Sequence, residues 1–93
     1  MHIGMLTLSL HLEGCTSLKE KRQRVGGLRD RFGKAPHIAV CESGAADRHD
    51  KAQWSFVCIA QQKPFVERAL GDIEQRVATE TDAVIYQQQL EFL

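Results

Sequence analysis

The feature that most constrains the fold is a strict alternation near the start of the chain. From residue 6 to residue 12 leucine occupies every second position, and the residues between are Thr7, Ser9 and His11. Side chains two apart point to the same side of an extended strand, so the run over residues 2–12 predicts a strand with one apolar face. Such a face is stable only when other elements cover it, and the rest of the chain must supply them.

A basic helix is predicted to begin at Ser17. Ser17 and Glu20 have the spacing of a capping box, in which each residue bonds the other's backbone amide. One apolar stripe then follows at about 100° per residue, made by Leu18, Val25, Leu28 and Phe32. The sequence therefore predicts one helix over residues 17–32. Gly26 and Gly27 interrupt its outward face, each at about 1 kcal/mol relative to alanine; sequence drift, slightly favoured, or the close approach of a partner would explain them.

The second half of the chain carries the remaining elements. Short alternating runs predict strands over residues 37–43 and 52–61, the latter with Trp54, Phe56 and Cys58 turned inward. Pro64 suits the first position of a second helix, whose apolar stripe is Val66, Ala69, Leu70, Ile73 and Val77. A last strand over residues 82–93 is expected to place one set of side chains on a common face: Val84, Tyr86, Leu90 and Phe92.

Together these elements predict an α+β fold of the ferredoxin-like β-α-β-β-α-β kind, a single domain over residues 1–93. Both helices would cover one face of a four-stranded antiparallel sheet, with the first and third strands at its centre. The opposite, open face would carry small polar and aliphatic side chains. RNA-binding sheets of this fold stack bases on aromatics of the central strands, so the inward parity of Trp54 and Phe56 disfavours that mode.

The net charge of zero conceals a strong asymmetry. Residues 17–34 contain seven basic and two acidic residues, a charge of 7 − 2 = +5, so the remainder carries −5. A concentrated basic segment favours an anionic partner, and RNA or the ribosome is the leading interpretation. The candidate binding residues are Lys19, Lys21, Arg22, Arg24, Arg29 and Arg31.

Two other interpretations of the basic segment stay open. In one, the arginines beside the apolar stripe cover core edges and pair with acids of the same chain. In the other, the protein is an interaction or homodimerisation module that uses the open sheet face. Lys21 is unusual in either case, because its position falls inside the apolar stripe, where it either snorkels or serves a site.

No motif predicts catalysis, a metal or a cofactor, so a non-enzymatic module is expected, and the sequence points to no known small-molecule substrate. The three cysteines, Cys15, Cys41 and Cys58, lack the spacing of disulfide frameworks and zinc sites. The acid–base mixture of residues 47–50 has no nearby nucleophile and is interpreted as a solvated loop. No stretch reaches the roughly 20 apolar residues of a membrane span, and a cytoplasmic location without membrane contact is expected.

The sequence resembles the YlxP-like family, a bacterial domain of unknown function. The resemblance covers essentially the whole chain and is carried by Leu6–Leu12, by Ser17-Leu18-Lys19-Glu20-Lys21-Arg22 and by Ala39–Glu42. His49 stands where this family usually has tryptophan. The resemblance implies a ferredoxin-like fold. Family members are often encoded beside translation initiation factor two and ribosome-binding factor A, which implies a link to translation or ribosome assembly, with no established catalytic residues.

Overall fold

A four-stranded antiparallel sheet, covered on one face by helices, forms the domain. The computed structural model describes residues 1–93. The strands are β1 (His2–His11), β2 (Ile38–Gly44), β3 (Lys51–Ala60) and β4 (Val84–Phe92), and the helices are α1 (Leu18–Val25), α2 (Leu28–Phe32) and α3 (Lys63–Glu80). The strand order is β2-β3-β1-β4, all neighbours being antiparallel. The predicted ferredoxin-like arrangement, with β1 and β3 central, is confirmed.

The core lies between the sheet and the three helices. Leu8, Leu10 and Phe56 are completely buried on the covered face of β1 and β3, as their alternation predicts. Val66 and Leu70 of α3 pack over them in the same apolar cluster. The approach of α3 depends on Gly4, where a methyl group would lie 2.7 Å from Val66 Cγ1 and 2.9 Å from Leu70 Cδ1.

The single helix predicted over residues 17–32 is wrong, because the structure divides it into α1 and α2 at Gly26 and Gly27. The Gly26 amide donates to the Arg22 carbonyl at 2.8 Å. The turn is tight enough that a β-carbon at residue 26 would collide with that carbonyl oxygen. Close backbone approach within the chain therefore accounts for Gly26, in place of drift or a partner, whereas nothing crowds Gly27.

The face assignment in β4 also needs correction. The register against β1 shifts between Ser9 and Leu10: Ser9 pairs with Gln87 and Leu10 with Ile85, which leaves Tyr86 unpaired. The extra residue of a bulge exchanges the two faces of a strand beyond it. Ile85 therefore packs against the core in place of Tyr86, and Val84 is 62% exposed.

The open face of the sheet is polar at its centre. The Thr7 and Ser55 hydroxyls lie 3.0 Å apart, and Ser55 donates to Ser43 at 2.7 Å, so three hydroxyl groups form a row across β1, β3 and β2. Trp54 and Phe56 lie on the covered face, 4% and 0% exposed, as predicted. None of the three helices combines the length and apolarity needed to cross a membrane.

Candidate functional site

Five of the six candidate residues on α1 and α2 divide into two groups in the structure. Lys21 and Arg24 are held by the protein's own oxygen atoms. The side chains of Lys19, Arg22 and Arg29 are exposed and make no hydrogen bond or ion pair within the chain. Arg31 belongs to neither group. Its guanidinium lies 3.4 Å from the Glu80 carboxylate, but its side chain is still 39% exposed.

Lys21 is buried, with 4% of its surface exposed. Its ammonium donates to the carbonyl oxygens of Ala45 and Arg48, both at 2.8 Å, and lies 3.0 Å from a carboxylate oxygen of Glu42. An ammonium group has three donors, and these partners use all of them. The structure thus directs Lys21 into the interior, where it holds α1 to the segment that joins β2 and β3.

The segment held by Lys21, residues 45–50, is the loop that the sequence left without a role. Ala45 has a φ of 56°, the only non-glycine residue with a positive value, a conformation that costs roughly 1–2 kcal/mol in an L residue. Its carbonyl oxygen is one of the two that Lys21 binds. His49 adds a second anchor, its Nδ1 lying 2.9 Å from the Cys15 carbonyl oxygen.

Arg24 joins two loops at the end of the sheet. Its guanidinium donates to the Asp82 carbonyl at 2.9 and 2.6 Å and to the Glu13 carbonyl at 2.9 Å. Carboxylate oxygens of Glu20 and Asp82 lie 3.2 and 3.3 Å away. The Ser17 hydroxyl caps the Glu20 amide at 3.1 Å as predicted. The Glu20 side chain bonds Arg24, so the contact expected back to the Ser17 amide is replaced by an ion pair.

The free basic side chains form a stripe, defined as Lys19, Arg22 and Arg29. Gly26 and Gly27 keep right-handed helical dihedral angles, so the chain turns in nearly the same sense from α1 into α2. On such a path residues three and seven apart share a side. The stripe therefore carries three unpaired positive charges along α1 and α2, and Gly26 contributes no side chain between Arg22 and Arg29.

Two ionisable groups outside the stripe, Asp50 and Cys58, have shifted pKa values. Desolvation is the largest single influence on the Asp50 carboxyl and raises its pKa, but the Arg48 guanidinium, 3.1 Å away, together with hydrogen bonds, lowers the pKa of Asp50 overall. Burial raises the pKa of the Cys58 thiol, which keeps it protonated and unreactive. No group of three or more histidine, cysteine or acidic residues is placed to hold a metal ion.

Comparison with known proteins identifies a family whose function is unknown. The matching family model, described as "Protein of unknown function (DUF503)", covers residues 3–90. No curated protein matches the chain.

Solved structures of the same architecture share little sequence with this chain. Protein YJCS, from structural genomics, has a TM-score of 0.63 at 10% identity, with 96% of each chain covered. The de novo designed protein Foldit4 has a TM-score of 0.57 at 10% identity, covering 100% of this chain and 97% of its own. A C-terminal segment of the aIF2 alpha subunit from Pyrococcus abyssi has a TM-score of 0.51 at 14% identity, covering 100% and 49%. These likenesses establish the fold alone.

Proposed function

The chain belongs to the DUF503 family, whose description gives no function, and from that premise we propose that it binds RNA through the stripe of Lys19, Arg22 and Arg29. The observation that carries the proposal is the absence of any acidic partner for these three side chains. Other basic residues of the same segment, Lys21 and Arg24, are neutralised by nearby carboxylates. Among the basic side chains of α1 and α2, these three alone thus have no partner.

The dimensions of the stripe suit a phosphate backbone. Lys19 and Arg29 lie on two successive helices and are ten residues apart, a length of at most about 15 Å at the helical rise of about 1.5 Å per residue. Duplex nucleic acid carries one charge per roughly 1.7 Å of axis, so several phosphates can face a surface of that length. The gap at Gly26 allows a sugar–phosphate chain to approach the helix backbone between the flanking arginines.

The mode of RNA binding is limited by the side chains that the central strands of the sheet expose. The central strands β1 and β3 offer no exposed aromatic side chain for base stacking, since Trp54 and Phe56 are buried. Recognition would therefore rest on phosphate contacts, with weak sequence preference and strong salt dependence. The YlxP-like resemblance, with its genomic link to translation factors, supports ribosomal RNA as the first RNA to test.

A salt series on labelled ribosomal RNA fragments tests the proposal. Affinity measured by fluorescence anisotropy should fall steeply with salt, and the log–log slope should decrease by about 0.7–0.9 for each phosphate contact removed. Arg22→Gln and Arg29→Gln should each weaken binding and flatten the slope. Arg68→Gln is the matched control, because Arg68 is exposed on α3 and lies outside the stripe.

Three results would contradict RNA binding through the stripe. They are no binding at about 50 mM salt, an affinity that does not change with salt, and an equal loss in Arg68→Gln and Arg29→Gln. Circular dichroism of each variant separates a binding defect from unfolding.

A second candidate function is self-association through β4 and the open sheet face. β4 is an edge strand with no partner on its outer side. Two large side chains of β4 are exposed, Val84 at 62% and Tyr86 at 53%. Unpaired strand edges pair readily with other strands, so a second copy of this chain is the partner that the feature favours.

A further inference from the structure

A groove between α2 and α3 is a concavity that lies outside the stripe. It has a volume of about 400 Å³ and is lined by residues of α2, the segment before β2, and α3. That volume lies within the range of about 300–1,000 Å³ typical of small-molecule sites. Its apolar lining includes Phe32, Ile38, Ala69 and Ile73. We call this feature the α2–α3 groove.

Positive charge surrounds the groove. Arg31 of α2 and Arg68 and Arg76 of α3 line it, together with the single acid Asp72. Residues 68, 72 and 76 are four apart and therefore share one face of α3. Glu80 contacts Arg31 at 3.4 Å and Arg76 at 3.1 Å, so three arginines face two acids and the surplus is 3 − 2 = +1.

The surplus charge resides on Arg68. Arg76 has Asp72 at 4.0 Å as well as Glu80, and its guanidinium also covers the Phe32 ring at 4.8 Å. The Arg68 side chain is exposed and has neither an ion pair nor a hydrogen bond within the chain. An unpaired guanidinium beside an apolar floor offers a fork of donors to a carboxylate or a phosphate.

An aromatic pair lies along the same groove. His37 and Phe65 meet edge to face, with ring centroids 5.1 Å apart, and Phe65 is 40% exposed. Phe65 precedes Arg68 by three residues on α3, so the ring and the free guanidinium are neighbours on one helix face. The juxtaposition offers a flat apolar contact and an anion contact to one small molecule.

From this geometry we propose that the α2–α3 groove binds a small molecule made of a planar ring that carries an anionic group. Arg68 receives the anion, and the ring lies against Phe65 and the apolar floor. Two sources share this chemistry, a nucleoside monophosphate and an aromatic carboxylate. The proposal is independent of RNA binding by the stripe, because no residue is common to the two surfaces.

Titration of the isotope-labelled protein with adenosine monophosphate and, separately, with benzoate tests the groove. At least one should shift the amide resonances of residues 65–76 and 31–38 in a saturable manner, and the one that does identifies the source. Adenosine, which lacks the anion, and inorganic phosphate, which lacks the ring, should bind about tenfold more weakly or worse.

Arg68→Gln should raise the Kd of the binding anion about tenfold, because a charge-assisted contact is lost. Arg29→Gln is the control and should leave the Kd unchanged. The proposal is overturned if neither ring-bearing anion shifts groove resonances at millimolar concentration, if adenosine or phosphate binds equally well, or if Arg68→Gln behaves like the wild type. Arg68→Gln tests the groove and is the control for RNA binding, whereas Arg29→Gln tests RNA binding and is the control for the groove. If one proposal fails, the other can therefore still be tested.

Discussion

At the scale of single residues, the basic side chains of residues 17–34 have different surroundings although they are close together in the sequence. Lys19 and Lys21 are two residues apart, yet the first is exposed and the second is 4% exposed with three oxygen partners. The apolar stripe marks Lys21 as exceptional, and that signal is correct. Its partners could not be predicted, because they are backbone carbonyls 24 and 27 residues away.

The two lysines give a matched test of this difference. Lys21→Met keeps the aliphatic length but leaves two carbonyls and Glu42 without their donor, and we expect a loss of about 2–4 kcal/mol in the free energy of unfolding. Lys19→Met should change stability by about 0.5 kcal/mol or less. Urea denaturation of both variants measures the effect, and equal midpoints would show that the buried ammonium contributes nothing.

At the scale of secondary-structure elements, the sequence predicts the regular parts well and the interruptions poorly. The alternating leucines of β1 and the apolar stripe of α3 are periodic, and one face of each is buried as expected. The bulge that leaves Tyr86 unpaired depends on the register against β1, which no periodicity within β4 reveals. Gly26 and Gly27 were visible in the sequence as an interruption of the first helix. The close approach of Gly26 to the Arg22 carbonyl was not.

Gly26 and Gly27 should respond in opposite directions to the same substitution. Gly26→Ala introduces a β-carbon against the Arg22 carbonyl, and we expect it to destabilise the protein by about 1–3 kcal/mol. Gly27→Ala meets no atom within 4 Å and should stabilise it by about 0.5–1 kcal/mol through the lower entropy of the unfolded chain. Thermal unfolding distinguishes the two variants, and stabilisation by both would contradict the close approach at Gly26.

At the scale of the whole molecule, the fold does not specify a function, so function must depend on the residues at its surface. A designed protein with the same architecture illustrates that this arrangement of helices and sheet exists without a natural activity. The charge asymmetry was evident from the sequence, and it located the segment that carries the stripe. The α2–α3 groove could not be predicted, because its arginines come from two helices that only the tertiary structure brings together.

Self-association belongs to this scale as well. If β4 pairs with a second copy, sedimentation equilibrium should show a monomer–dimer transition in the micromolar to millimolar range, and Tyr86→Glu should shift it towards monomer by placing like charges at the contact. Lys19→Glu is the control. It changes the charge more than Tyr86→Glu does, but residue 19 lies on α1 and not on β4. A monomer at every concentration would exclude this candidate.

The ammonium of Lys21 also determines how the domain can open. If α1 undocks, the 45–50 loop loses the donor that holds two of its carbonyls; if the loop loosens, a buried charge loses two of its three partners. Neither event is favourable alone, so α1 and the β2–β3 hairpin form one cooperative unit for local unfolding. Amide exchange in the loop should accordingly follow the opening of the helix, although the two segments are distant in sequence.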